Sequence, residues 1–175
     1  MAAIRNRRTP PAFSGQYTLK QYRLQVIAET SIGNRECDSP ERAAEFWRDA
    51  VATSPGYDPD KEHAVVLMLN TRRSVIGWDL ISMGGLSETF MHPREVFRKA
   101  IVAAASAIII MHNHPSGDTT PSEPDIRTTR DMIRAGKLLR LEVLDHVIVV
   151  EPARAPDTNP KAYCSLKEMG YFYES

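Results

Sequence analysis

The apolar positions of the chain follow two periods. Ala43, Phe46, Trp47 and Ala50 recur at steps of three and four, the stripe of a helix with one buried face. Ser39-Pro40 stands ahead of it as an N-cap and first helical residue. Val96, Phe97, Ala100, Ile101 and Ala104 repeat the pattern after Pro93, over a helix expected to reach about Ala105. Between these helices the period is that of strands. His63 to Leu69 is a buried apolar run, Asn70-Thr71-Arg72-Arg73 a turn, and Ser74 to Met83 the hairpin partner, broken at Gly84-Gly85. Ala107-Ile108-Ile109-Ile110 is a further strand, rich in β-branched residues. A helix is expected from about Ser122 to Ala135, ended by Gly136, and then an apolar strand from Leu141 to Val150. Tyr22 to Ile27 alternates in part as a strand. Ser54 to Pro59 and Ala153 to Asn159 read as loops, and Ser165 to Met169 as one helical turn. Strands mixed with helices, one hairpin among them, predict an α/β fold with a mixed sheet and flanking helices.

Composition narrows the class only modestly. At 175 residues, with 42% hydrophobic and 25% charged positions, the chain is long enough for one sizeable core. Residues 1–16 mix Arg, Pro and Gly without periodicity and are expected to be a mobile arm, with residues 17–175 forming a single domain. A formal net charge of zero provides no global field to recruit nucleic acid or an acidic membrane. Cys37 and Cys164 match no ligand spacing and read as free thiols of a reducing cytoplasm. Arg5, Arg7 and Arg8 are not followed by the apolar core of a signal peptide, and no apolar run has the length of a membrane span.

The candidate chemistry lies in Met111-His112-Asn113-His114-Pro115-Ser116-Gly117 and the residues that follow. On a strand, His112 and His114 point to one face and Asn113 to the other. Asp125, at the expected start of the next helix, can bring a carboxylate back to the pair. Two neutral nitrogens, one carboxylate oxygen and a fourth position left for water are the makings of a catalytic zinc site. A plainer reading stands beside it: Ser122 and Asp125 have the spacing of a capping box and could serve only the helix. Further along that helix Arg127, Arg130, Arg134 and Lys137 share a face, and Arg140 follows. Such a stripe can contact phosphates or an acidic partner, or can be a solvated face paired with Glu123 and Asp131.

The spacing His112-x-His114, seven residues, Ser122, two residues, Asp125 resembles the JAMM motif of the JAB/MPN metalloproteases. The longer string His-Asn-His-Pro-Ser-Gly-Asp is similar to the RadC branch of that superfamily. Glu62 before Val65-Val66-Leu67-Met68-Leu69-Asn70, Pro93-Arg94-Glu95-Val96-Phe97 and Leu144-Asp145-His146-Val147-Ile148 extend the likeness over roughly residues 39–170. The resemblance implies a fold like that of the cytidine deaminases, with Zn2+ held by His112, His114 and Asp125. It further implies Glu62 as the base and Ser122 as support for an oxyanion, in the hydrolysis of a peptide or isopeptide amide of a protein substrate. Glu88 and Glu95 are rival bases, and Glu95 beside Arg94 suits a surface ion pair. Asp145 could receive the second N–H of a ligand histidine. The alternative is a RadC-like nuclease or accessory of DNA repair and recombination. The helix-hairpin-helix region of longer RadC proteins is not evident, so nucleic acid is the less favoured partner.

Overall fold

A computed structural model describes residues 35–84 and 91–173, which belong to the compact unit Ser31–Ser175. The expected arm, the Tyr22–Ile27 strand and Glu88 lie outside the described residues. The order is helix α1 (Pro40–Phe46), a π-helical turn (Trp47–Val51), strands β1 (Glu62–Leu69) and β2 (Val75–Gly84), and helix α2 (Pro93–Val102). Strand β3 (Ala107–Asn113), helix α3 (Glu123–Leu139), strand β4 (Glu142–Val149), a 3-10 turn (Pro152–Arg154) and strand β5 (Tyr163–Ser165) follow. The five strands form one sheet in the order β2-β1-β3-β4-β5. Only β3 and β4 run parallel, and α3 is the crossover that a parallel pair requires. The mixed sheet with flanking helices expected from the sequence is the fold observed.

Period-two alternation divides the core. Val65, Leu67 and Leu69 of β1 and Ala107, Ile109 and Met111 of β3 meet Ala43, Phe46 and Trp47 on one face. Ala64, Val66 and Met68 with Ile108 and Ile110 face Val96, Phe97 and Ala100 of α2 and Met132 of α3 on the other. β1 and β3 are therefore buried on both sides, as their unbroken apolar runs require. His112 has the same parity as Ile108 and Ile110, so its ring emerges on the face covered by α2 and α3.

Several boundaries differ from those expected. Ser39 caps α1 and Pro40 opens it as predicted. Helix α2 stops at Val102, and Ala104, at φ 51, turns the chain into β3. Ile101 is exposed rather than part of the buried face. The third helix continues three residues beyond Gly136 and ends at Arg140 in the left-handed conformation. Gly136 serves close packing instead of termination: a Cβ there would lie 2.5 Å from the Leu141 carbonyl oxygen and 3.1 Å from Val143 Cγ2. Residues 163–165 are a short strand, and only the chain after Ser165 makes the expected turn, with Met169 N–H donating to the Ser165 carbonyl. Among the described residues no helix is long and apolar enough to cross a membrane, and both cysteines are free.

Gly136→Ala should therefore lower stability. Ala is intrinsically the better helix former by about 1 kcal/mol, but overpacking against backbone typically costs about 1–3 kcal/mol. Urea and thermal unfolding should show a reduced midpoint. An unchanged or raised midpoint would mean that the Leu141 carbonyl moves aside freely.

Candidate metal centre

The site lies where β3 ends and α3 begins, at the carboxyl end of the parallel pair, the usual position for ligand sites in sheets of this kind. His112 is wholly buried on β3, and His114 follows one residue beyond the strand. His114 N–H donates to the Val149 carbonyl at 3.0 Å, which holds the backbone in line. Ala64 of β1 is paired with His112; two residues earlier in the antiparallel direction, Glu62 comes level with His114. Gly117, at φ 84, turns the loop back; a Cβ there would lie 2.4 Å from the Arg154 carbonyl oxygen. Ser122 then caps α3, and Asp125, three residues on, faces the histidines.

The donor atoms converge. His112 Nε2 lies 3.0 Å from His114 Nε2 and 3.3 Å from Asp125 Oδ1, while His114 Nε2 lies 3.6 Å from Asp125 Oδ2. Zinc bonds of roughly 2.0–2.1 Å in a tetrahedron put ligand atoms about 3.3 Å apart, so the three spacings fit one divalent cation. Ligand atoms of Glu62, His112 and His114 also fall within 4.8 Å of one another, and Glu62 Oε1 is 4.0 Å from His112 Nε2. Glu62 thus faces the same point from further off, whereas Asp125 touches both rings. By these distances Asp125 is the stronger candidate ligand, with Glu62 set further back.

The electrostatics agree with a cation site. Burial alone would raise Asp125, but hydrogen bonds to His112 and His114 hold its carboxyl far below the usual carboxylate range. Burial alone would lower His114, yet the Asp125 carboxylate and the Asp118 carbonyl outweigh it and raise the ring. The Asp118 carbonyl can only accept, so His114 Nδ1 carries the proton across their 2.7 Å contact. Nε2 is then the atom left for a cation or a second proton.

Ser122 is both a cap and a neighbour of the centre. Its Oγ donates to Asp125 Oδ2 at 2.6 Å, its N–H donates to the same oxygen at 2.8 Å, and Asp125 N–H donates back to Oγ at 3.3 Å. The capping box is therefore present along with the approach of Asp125 to the histidines. Glu95 pairs with Arg98, not Arg94. The side chains of Arg127, Arg130, Arg134 and Lys137 are exposed on α3, and Arg134 pairs with Asp131 at 3.3 Å.

Asp145 does not reach His112 or His114. It points to the opposite face of β4, where it accepts from Ser165 Oγ at 2.6 Å and from the Lys167 and His146 N–H groups; burial raises its carboxyl above the ordinary value. Its neighbour His146 has the right parity. His146 Nε2 is 2.8 Å from His112 Nδ1, and His146 Nδ1 is 2.6 Å from Thr129 Oγ1. Complete burial, with the neighbouring His112 ring adding to it, pushes His146 well below the usual histidine value. The sequence reading also missed Asn113. Turned away from the centre, its Oδ1 accepts from His63 N–H at 2.7 Å and its Nδ2 donates to the Lys61 carbonyl at 3.0 Å. Asn113 thereby clasps the backbone on both sides of Glu62. Alternation around the His-x-His pair was the signal available for it.

A mixed α/β sheet with two histidines and two carboxylates gathered at a strand-to-helix junction defines the architectural class. Residues 37–171 match the family described as RadC-like JAB domain, and the chain belongs to that family. A UPF0758 protein of Syntrophomonas wolfei subsp. wolfei is 44% identical over 143 residues, covering 79% of this chain and 57% of the relative. One from Caldanaerobacter subterraneus subsp. tengcongensis is 46% identical, with 64% and 44% covered. A third, from Staphylococcus haemolyticus, is 47% identical, with 66% and 46% covered. The chain spans about half the length of these curated relatives.

The raised His114 sets a pH dependence for any cation bound here. A metal displaces the Nε2 proton, so affinity falls as pH drops through a value above the ordinary histidine pKa of about 6.5. Asp125, already ionised throughout that range, adds no slope. Competition with a zinc-chelating dye should show binding that tightens steadily from about pH 6 to about pH 8. Affinity that does not vary over that interval would contradict this assignment.

Proposed function

We propose that the protein is a zinc-dependent hydrolase that cleaves a peptide or isopeptide amide in a protein substrate. The observation that carries this reading is the approach of Asp125 to both His112 and His114, with Glu62 facing the same point from β1. His112, His114 and Asp125 hold the ion and leave a fourth position open, unlike a structural site closed by four protein ligands. The bound zinc supplies Lewis acidity, acidifying water and polarising a carbonyl. Glu62 takes the proton from the attacking water and returns it to the departing amine. Its carboxylate has the access this needs, since the side chain is 16% exposed beside the wholly buried His112. Asn113 keeps the Glu62 backbone in register with β3. Ser122 Oγ, once it swings from Asp125, donates to the oxygen on which charge develops.

The second reading, a nucleic-acid-associated protein, draws on the exposed cations of α3. The Asp131 partner of Arg134 and the zero net charge weigh against it. Duplex binding through Arg127, Arg130, Arg134 and Lys137 would weaken with salt by a slope of roughly −0.9 per phosphate neutralised. Salt titration should show little binding, and no change when the four are replaced by Gln. Tight, salt-steep binding lost in that variant would favour the nucleic-acid reading.

Protein purified without chelator should carry about one zinc per chain, measured by plasma emission, and His112→Ala or His114→Ala should lose most of it. Glu62→Gln should retain the metal while turnover of isopeptide-linked substrates falls about a hundredfold or more. Full metal content in both histidine variants would refute the ligand set. Unimpaired turnover in Glu62→Gln would remove Glu62 from the chemistry.

A further inference from the structure

We propose that His146 and Thr129 are positioning residues that hold a proton of His112 on Nδ1 and so leave its Nε2 as the nitrogen aimed at the metal position. The proposal rests on the zinc-site reading above but concerns where the fold places protons. Thr129 lies one turn beyond Asp125 on α3, with Oγ1 2.7 Å from the Asp125 carbonyl oxygen and 2.6 Å from His146 Nδ1. A hydroxyl has one proton, and a main-chain carbonyl can only accept. Thr129 therefore donates to Asp125 and must accept from His146, whose proton then sits on Nδ1.

A fully buried imidazole without a charged hydrogen-bond partner is neutral, so His146 Nε2 is an acceptor. Across 2.8 Å it takes the proton of His112 Nδ1. With Nδ1 committed to that bond, Nε2 is the ring nitrogen of His112 left for a cation. That is the atom 3.0 Å from His114 Nε2 and 3.3 Å from Asp125 Oδ1. Reversing the chain would set the Thr129 oxygen and the Asp125 carbonyl oxygen lone pair to lone pair at 2.7 Å. Thr129, His112 and His146 are each 0% exposed, so no solvent contact relieves that conflict.

Ligand histidines commonly donate to a carboxylate, a carbonyl or water. Here the partner of His112 is a neutral ring anchored to a hydroxyl, and Asp145, the nearby carboxylate on β4, faces the other way. His114 is ordered independently by the Asp118 carbonyl. Both ligand tautomers are thus set before any cation arrives.

The test uses the full chain, chelator-treated and labelled with nitrogen-15 at histidine. The chain contains five histidines, few enough to assign by single substitutions. Long-range proton–nitrogen correlation spectra should show His112 and His146 protonated on Nδ1. Thr129→Val keeps the volume and removes the hydroxyl. It should give His112 a mixture of tautomers and weaken zinc binding by about tenfold to a hundredfold, whereas Thr129→Ser should restore both. Wild-type His112 without a proton on Nδ1 would overturn the proposal without recourse to any variant. So would a folded Thr129→Val protein with the wild-type tautomer and zinc affinity. If the ordering is found and no amide is hydrolysed, the functional reading fails and the relay stands.

Discussion

Two imidazole nitrogens aimed at each other across 3.0 Å, with a carboxylate against both, are the constraint from which the architecture follows. Lone pairs brought this close in a buried place repel unless a proton or a cation lies between them, and no flexible chain would hold them so. The fold does it with β3, the strand flanked by both β1 and β4. Register with β1 sets Glu62, register with β4 sets His146, and the crossover α3 returns Asp125. Each group comes from a different element, so a slip of one residue in any ladder would turn a site residue to the wrong face. The apolar packing on both faces of β3 makes such a slip expensive: it would drive His112 into the apolar position of Met111.

Much of this was legible from residue types. Alternation identified the buried strands, the Ser39-Pro40 pair located the start of α1, and His112, His114 and Asp125 were recognisable as converging donors. The failures have physical causes. Glycine usually ends a helix, but at Gly136 it admits a neighbouring carbonyl, and local sequence carries no record of that neighbour. A three-residue strand such as β5 is too short to show a period and owes its form to pairing with β4. Asp145 and His146 are adjacent, so only the phase of β4 decides which one meets His112. That phase depends on an irregularity in pairing between Ile108 and Ile109. Thr129 looks like any small polar residue on a helix; its position four residues after Asp125 acquires meaning only once His146 is opposite.

Asn113 shows how the motif joins two tasks in three residues. The flanking histidines present their rings on one face, and the residue between them must occupy the other. An amide at that position satisfies a donor and an acceptor at the mouth of β1 simultaneously. An apolar residue would leave the His63 N–H and the Lys61 carbonyl to compete for water at the edge of the core. The position of Glu62 thereby depends on the same strand that carries the histidines, and the separation between candidate base and candidate ligands is fixed by one stretch of backbone.

Asp125 combines two roles that the sequence left as alternatives. Its Oδ2 receives both donors of Ser122, satisfying the start of α3, while Oδ1 is the oxygen nearest His112. A carboxylate has enough lone pairs for both, and the positive end of the helix dipole favours its charge. A cation taken by Oδ1 leaves the backbone cap on Oδ2 intact, so loading the centre does not require the first turn of α3 to loosen. The same cap places the Ser122 hydroxyl at the edge of the site. Helix initiation and ligand placement are therefore one interaction, and the helix begins where it does because the carboxylate that serves its first turn must also face the histidines.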